Sequence, residues 1–523
     1  LDIDDRAAQL SYFAIMMKAR QYDRRIFTRG IHPNVYAIQE SNGIIRKHLK
    51  YFGVELNEKE KNTAISQIEE LLNTLTDAKE YGSILNVNEY DWDLLRRFVN
   101  GADIGSQITF DTYGLDETAD KLKELIEISA VMAQKYEVVA TNPPYAGTSN
   151  LSAKVNNFVK KHYPDSKSDL FAVFIERCGE MLKENGYQAM ITQHAWMFLS
   201  SFEKLRVKLQ QKNIVNMAHL GARAFEEISG EVVQTTSFVL LKNHVNRYRG
   251  TYCRLVDATS QNGKENMFLD GKNRFYFNQD NFFIIPGKQF AYWINEAIIQ
   301  VFEKSIPLKK IGNSCQGLIT GDVNRFVRKW YECSIENLGI PFNIHKKWYP
   351  YNNGGEYRKW YGNNDDVVNW DNSGAEIMNF KDKNGKLRSR PQNLNYYFKE
   401  GATWTAISSG KLSVRYFGKG TIFSNAGMAF FSDNSSLKFL IAFLNSKIAD
   451  LYLSISDGGL NYNQGYIASL PIIKNKEDII INLADVCIKE EKEDWDLFET
   501  SWDFIRHPLV SSPGIAQEHL TYQ

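Results

Sequence analysis

The chain of 523 residues is long enough for two or three domains, and its 62 Lys and Arg balance 62 Asp and Glu, so net charge advertises no polyanionic partner. An aromatic content of 13% favours large folded cores over disorder. The five cysteines, at 178, 253, 315, 333 and 487, form no CxxC or metal-ligand spacing, and no apolar run approaches the ~18 residues of a membrane span, so a cytoplasmic protein without metal or membrane partner is expected.

From the N-terminus, Leu1-Asp2-Ile3-Asp4 reads as a strand end running into a helix over 6–20. Its apolar residues include Ala7, Leu10, Ala14 and Met17, with Asp4 or Asp5 as N-cap. An acid at a strand end before a helix is where dinucleotide-type α/β folds hold ribose hydroxyls, which marks Asp2; the plain alternative is a capping acid. The chain opens without Met and reads as one cut inside a domain. Residues 55–135 predict helices, clearest over 58–75 and 116–135, with an interruption at 77–83.

Val138 and Val139 predict the end of a buried strand. Asn142-Pro143-Pro144-Tyr145 must end it, because neither proline carries an N–H. The turn offers the Asn142 amide oxygen, the Pro143 carbonyl and the face of Tyr145 at one point. Two acceptors and a ring face suit an exocyclic amino group on a planar ring. Drawing both N–H hydrogens to acceptors exposes the nitrogen lone pair, which can then attack a methyl sulfonium. An Asx/Pro turn without a ligand is the plain alternative.

Residues 147–167 are polar and basic, with Lys154, Lys160, Lys161 and Lys167, and read either as a lid or as a solvated loop. A helix over 169–182, stopped by Asn185-Gly186, precedes a strand over 187–191 and a helix over 202–209. Strands over 214–220 and 235–241 flank Phe225 and Gly230-Glu231. Strand–helix alternation through 1–245 predicts a doubly wound α/β domain. Residues 246–300 read as a β-containing connector.

Residues 301–420 hold 19 Lys and Arg against 11 Asp and Glu, interleaved with aromatics at 345–349 and 357–361. Cations bind phosphates and aromatics stack on bases. This half therefore predicts a nucleic-acid surface carried by Arg325, Arg328, Lys346, Lys347, Arg358 and Lys359. A charge-studded β surface is the alternative. Helices over 437–452 and 479–504 close the pattern.

Asn142-Pro143-Pro144-Tyr145 after an apolar strand resembles motif IV of the adenine-N6 DNA methyltransferases, and the same tetrapeptide occurs in protein-glutamine methyltransferases. The wording of the second half is more specific. Residues 348–363 (WYPYNNGGEYRKWYGN), Leu444-Asn445-Ser446-Lys447 and 465–471 (GYIASLP) stand out. Nearly the whole chain resembles the PglX family, adenine-specific methyltransferases of BREX-type phage-resistance systems. It more distantly resembles type IIG restriction–modification enzymes.

The resemblance implies a Rossmann-like class I methyltransferase domain over 1–245, incomplete at its N-terminus. A connector over 246–300, a mixed α+β target-recognition domain over 301–475 and the start of a helical spacer over 476–523 follow. It implies S-adenosyl-L-methionine as cofactor, double-stranded DNA as substrate and other phage-defence proteins as partners. Asn142, Pro143, Pro144 and Tyr145 become the catalytic turn, Tyr145 and Phe225 sandwich a flipped adenine, and Asp2, Ile3 and Asp77 hold the cofactor. The Gly-rich turn of motif I is not among these residues; Gly354-Gly355 and Gly458-Gly459 lie in polar loops. Weak cofactor binding and no catalysis by this chain alone are therefore expected. A protein-glutamine N5 methyltransferase and a non-catalytic DNA-binding fragment are the alternatives.

Overall fold

The computed structural model describes residues 1–101, 113–225, 233–343, 345–408, 410–455 and 462–511. Gly230-Glu231 and Gly458-Gly459 lie outside the described residues. The chain divides into two compact units, Leu1–Asp280 and Asn281–Gln523.

In the first unit, α1 (Asp5–Tyr22) starts where the Asp4 side chain accepts from the Arg6 and Ala7 N–H groups, as its capping pattern predicts. The next helices are α2 (Glu58–Thr74), the single turn α3 (Ala78–Tyr81), α4 (Trp92–Asn100) and α5 (Leu115–Ala133). Leu71, Leu72, Leu95, Phe98, Leu122 and Leu125 are buried in the core they share. The polar segment expected as a lid or loop instead contains α6 (Ala153–His162). Val155, Val159 and Tyr163 are buried with Ile84, and the Tyr81 ring packs against Phe158 with centroids 4.6 Å apart, so the segment is docked rather than solvated. Two further helices, α7 (Leu170–Glu180) and α8 (Glu203–Leu209), accompany the sheet, and α9 (Gln261–Asp270) follows its fifth strand.

The strands are β1 (Tyr136–Thr141), β2 (Leu182–Gln193), β3 (Asn213–Gly221), β4 (Thr235–Leu241), β5 (Arg249–Arg254) and β6 (Arg274–Asn278). They pair in the order β1-β2-β4-β3-β5-β6. β1, β2, β3 and β5 run one way, and β4 and β6 run against them. The sheet is thus mixed, and two of its strands come from the stretch read as a connector. β5 is drawn in because its pairing with β3 brings Tyr252 and Cys253 into the core.

Two local expectations are corrected. Val138 is 60% exposed: β1 has β2 as its one partner among the described residues, so its pleat is covered less than a central strand's. Asn185-Gly186 does not stop a helix, since α7 ends at Glu180. Asn185 takes φ +62° inside β2, and a Cβ on Gly186 would stand 3.0 Å from the Glu137 carbonyl. The pair makes the kink where β2 meets β1.

The second unit carries β7 (Ile306–Pro307), β8 (Asn313–Cys315), β9 (Val327–Lys329), β10 (Trp348–Asn352) and β11 (Asp366–Asn369). After these come β12 (Gly401–Thr405), β13 (Val414–Phe417), β14 (Ile422–Phe423), β15 (Gly427–Phe431) and β16 (Pro471–Ile472). They form two four-stranded sheets, β14-β10-β11-β9 and β13-β12-β15-β8, and the pair β16-β7. Tyr349, Tyr351, Trp370, Phe417, Phe423 and Phe431 lie in the core they share. The helix expected over 437–452 is two, Asn434–Leu444 and Lys447–Ile455, because the Asn445 side chain bonds both backbone groups of Val414. A charged helix, Glu477–Trp495, follows. No described helix is long and apolar enough to cross a membrane.

Candidate active site and nucleic-acid surface

The carboxyl ends of β1, β2 and β3 leave the same edge of the sheet, where open α/β sheets place ligands. The Asn142-Pro143-Pro144-Tyr145 turn follows β1 there. Asn142 is exposed and Pro143 buried. The Tyr145 hydroxyl lies 3.3 Å from both Asn142 Oδ1 and the Ile191 carbonyl, and it can donate to either. Burial raises the pKa of that hydroxyl, which keeps it a donor. The Tyr145 ring meets Phe171 edge-on at 6.1 Å, and Phe171 packs on Phe202 at 5.6 Å. One face of the turn is thereby fixed by α7.

Asp169, the cap of α7, holds the end of the turn. Its Oδ1 accepts from the Ala146 N–H at 3.0 Å and caps α7 by accepting from the Phe171 N–H at 3.2 Å. The Leu170 N–H donates to the Ala146 carbonyl at 3.0 Å. Burial raises the Asp169 pKa against these bonds. The sequence carried a signal for this, an acid ending a polar run before Leu170-Phe171, but only its capping half is legible without the fold.

Phe225 follows β3 by four residues, at the margin of a segment outside the description. A residue of the expected connector steadies the approach to it. Lys264 on α9 is buried and donates to the carbonyls of Leu220, Leu255 and Ala258 at 2.6, 3.0 and 2.7 Å. Between β2 and β3, His194 Nδ1 lies 2.8 Å from His219 Nε2. Burial lowers the His194 pKa to about 4 and the His219 pKa to about 3, so the pair is neutral at pH 7.

The three candidate cofactor residues share one neighbourhood. The Asp2 backbone bridges to residues 36–38, and its Oδ1 accepts from the Asp4 N–H. Ile3 Cγ2 lies over Gly82, 2.9 Å from where a Cβ would stand; at φ +62° that position favours glycine. Asp5 pairs with Lys79 at 2.8 Å. Asp77, at φ +56°, gives one carboxylate oxygen to Lys154 of α6 at 2.8 Å and the other to Asn42 at 2.9 Å. Lys154, then Asn42, hold its pKa below the usual carboxylate range. A cavity of ≈ 500 Å³ lies beside it, lined by Tyr81, Phe158 and His162 among others, and the Asn142 turn takes no part in its lining.

An exposed acid and an aliphatic side chain seated on a glycine turn fit the adenosine half of S-adenosylmethionine. Behind them, Arg177 of α7 is 1% exposed and ties the adjoining stretch in place. It donates to the Ser83 carbonyl (3.3 Å), Asn86 Oδ1 (3.1 Å) and the Met132 carbonyl (3.3 Å).

In the second unit, five of the six basic residues singled out from sequence are turned to acceptors within the unit. Arg325 pairs with Glu376 at 2.6 Å, and Arg358 with Asp494 at 2.5 Å while lying over Trp495. Lys346 and Lys359 donate to the Glu336 and Asn445 carbonyls, both at 2.6 Å, and Arg328 donates to the Asn324 and Val327 carbonyls. The Lys347 ammonium lies 5.7 Å from the Trp348 ring and has no acceptor among the described residues. Also among the described residues, no His, Cys, Asp and Glu cluster could hold a metal.

Residues 1–225 match the model described as Eco57I restriction-modification methylase. The chain is 38% identical over 99% of its length to the adenine-specific methyltransferase PglX of Lacticaseibacillus casei (strain Zhang), covering 44% of that protein. It is also 38% identical, over 100% of its length, to the adenine-specific methyltransferase BrxX of Escherichia coli O9:H4 (strain HS), again covering 44%. The chain thus spans less than half the length of these curated relatives. Among solved structures, the type IIL restriction-modification enzyme MmeI in complex with DNA aligns at 12% identity and a TM-score of 0.46, over 91% of this chain and 72% of that one.

Proposed function

From a resemblance to the PglX methyltransferases that runs through 99% of the chain, we propose that it is the catalytic and target-reading part of a site-specific DNA adenine-N6 methyltransferase for self-marking in phage defence. In this reading, Leu1–Asp280 is a class I methyltransferase domain and the second unit reads the DNA target. The observation that carries it is the Asn142-Pro143-Pro144-Tyr145 turn at the carboxyl end of β1, held by Asp169 and Phe171. Both 38%-identical relatives are named as adenine-specific, which favours adenine over a glutamine amide.

The chain's residues divide the work as follows. A target adenine leaves the duplex stack and enters at the turn. The Asn142 oxygen and the Pro143 carbonyl accept from its N6 amine. Tyr145 stacks on the ring, its hydroxyl orienting the Asn142 amide while leaving the second lone pair of that oxygen free. Phe225 covers the opposite face. S-adenosylmethionine supplies the electrophilic methyl group when bound, with Asp2 facing its ribose and Ile3 its adenine. The rest is positioning, so no strong general base is needed. Asp77 serves in this scheme through its pairing with Lys154, fixing α6 beside the cofactor residues.

The test is nucleoside mass spectrometry of DNA from cells that make the protein. N6-methyladenine should be present when the unaltered chain is carried within a protein of its relatives' full length, and should fall by more than about tenfold, ~1.4 kcal/mol, when that protein carries Asn142→Ala at equal protein level and duplex affinity. Methylation within a factor of two of wild type would refute the role given to the amide.

A further inference from the structure

Residues 353–362 connect β10 to the outer edge of β13, and both ends of the stretch are tied. The Ser424 N–H donates to the Asn352 carbonyl, the Trp360 N–H to the Val414 carbonyl and the Tyr416 N–H to the Trp360 carbonyl. Between these ties the carbonyls are held by protein donors. The Gly354 carbonyl accepts from Arg415 at 3.4 Å, that of Gly355 from Thr405 Oγ1 at 2.9 Å, and that of Glu356 from Asn363 Nδ2 at 2.9 Å. In a planar trans peptide the N–H of the next residue points opposite to the carbonyl. Three successive N–H groups, those of Gly355, Glu356 and Tyr357, therefore point away from Arg415, Thr405 and Asn363 respectively. None has an acceptor among the described residues, and all three residues are exposed. Gly354 and Gly355 reach this shape through φ +89° and +114°. A run of exposed, unpaired amides at a turn is the element from which anion-binding concavities are built.

A second, independent observation lies beneath the turn. Arg415 is 1% exposed and forms no ion pair with a described residue. Its bonds, to the carbonyls of Gly354 and Arg358 and to Thr405 Oγ1, are 3.4–3.5 Å long, and its Nε has no partner. Burial, and then the nearby Arg358, lower its pKa to about 10. A buried charge is ordinarily paired. This one has no anion of its own, while the charge of Arg358 is met by Asp494.

We infer that Gly355-Glu356-Tyr357 is a seat for a phosphate of the DNA backbone, its three amide N–H groups binding the anionic oxygens while the Arg415 guanidinium supplies the balancing charge from below. The inference rests on the DNA-binding reading of the second unit and deepens it. Contact with the backbone passes through main-chain donors, which hold the duplex without reading its sequence. The side chains of Arg358 and Lys359 are spent on holding the turn. Glu356 places one carboxylate beside the seat and gives the test its handle.

Duplex binding by the full chain, followed by fluorescence anisotropy across a salt series, decides the matter. Glu356→Gln should tighten binding about three- to fivefold at low salt, and the gain should fade as salt rises. Glu490→Gln, the same charge change on the exposed helix Glu477–Trp495, should stay within about twofold of wild type. Tyr357→Pro deletes one outward donor and should weaken binding about tenfold. Arg415→Lys keeps the charge and should retain most of the affinity, whereas Arg415→Met should lose it in chains that still melt cooperatively. Equal effects of Glu356→Gln and Glu490→Gln, with Tyr357→Pro unchanged, overturn the seat while leaving DNA binding intact. A seat for free phosphate instead would show as phosphate-dependent protection from hydrogen exchange in peptides spanning 353–362, with duplex affinity indifferent to Glu356→Gln and Tyr357→Pro. That outcome overturns the DNA assignment. Failure of the unaltered chain to bind any duplex overturns the underlying reading itself.

Discussion

Asp169→Ala removes one oxygen that serves two backbone donors, the Ala146 N–H at 3.0 Å and the Phe171 N–H at 3.2 Å. The Phe171 bond is an N-cap, worth about 1 kcal/mol. The Ala146 bond joins a charged acceptor to a partly buried amide just after Tyr145, and losing it costs about 1.5–3 kcal/mol. At about 1.4 kcal/mol per decade, the Ala146 amide should exchange with solvent some ~10- to ~150-fold faster. Asp169→Asn keeps an acceptor oxygen and should accelerate exchange by less than about tenfold. Hydrogen exchange read by mass spectrometry on peptides spanning 142–150 measures this without any need for catalysis. Exchange in Asp169→Ala within about threefold of wild type would show that the turn holds its shape without the carboxylate. An Asn variant as damaged as the Ala variant would show that charge, not the acceptor, is what matters. The pH dependence has a fixed sign. Burial raises this carboxyl above 3.8, so the folded state holds the proton more tightly than the unfolded one. Stability contributed by this group therefore falls as pH rises through its folded pKa, and Asp169→Asn should abolish that slope.

The His194–His219 pair should behave in the opposite sense. Both folded pKa values are depressed from 6.5, to about 4 and about 3, so its stabilisation is complete above pH 6.5 and is lost as pH falls toward 4. A melting-temperature series from pH 7.5 to 4 should show a loss that His194→Gln reduces; an unchanged profile would mean the pair is not buried neutral. In the second unit, Lys347→Ala should lower the log–log salt slope of duplex binding by about one. Arg358→Ala should instead lower thermal stability, through loss of Asp494 and Trp495, and leave that slope in place. Reversal of the two results would relocate the DNA-facing side of this unit.

What the sequence disclosed was local chemistry. Asp4 as a cap, the strand end before Asn142, the helix after Asp169 and the strands through 221 and 241 are dictated by residues within a few positions of one another. Its silences concern partners distant along the chain. Arg358 looked like a phosphate ligand because Asp494, 136 residues further on, does not show in its neighbourhood. Lys264 stood in a segment with no motif, and its worth comes from three carbonyls gathered by the sheet. Val138 read as buried because strand propensity carries no information on whether a strand lies at an edge. Arg415 drew no attention because burial turns an ordinary basic residue into an unbalanced charge, and burial is a property of the fold.

Helix α7 is pinned at both ends. Asp169 grips the loop behind Tyr145, and eight residues on, Arg177 grips Ser83, Asn86 and Met132. Eight residues of α-helix span about 12 Å and resist compression. The helix is therefore a strut between the stretch under Ile3 and the turn that presents Asn142. A shift of the Ser83–Asn86 side on filling would be delivered to the Ala146 amide by the helix, in place of being absorbed along the way. The linkage is mutual, so whatever tightens one end of the strut must be felt, to the same free energy, at the other.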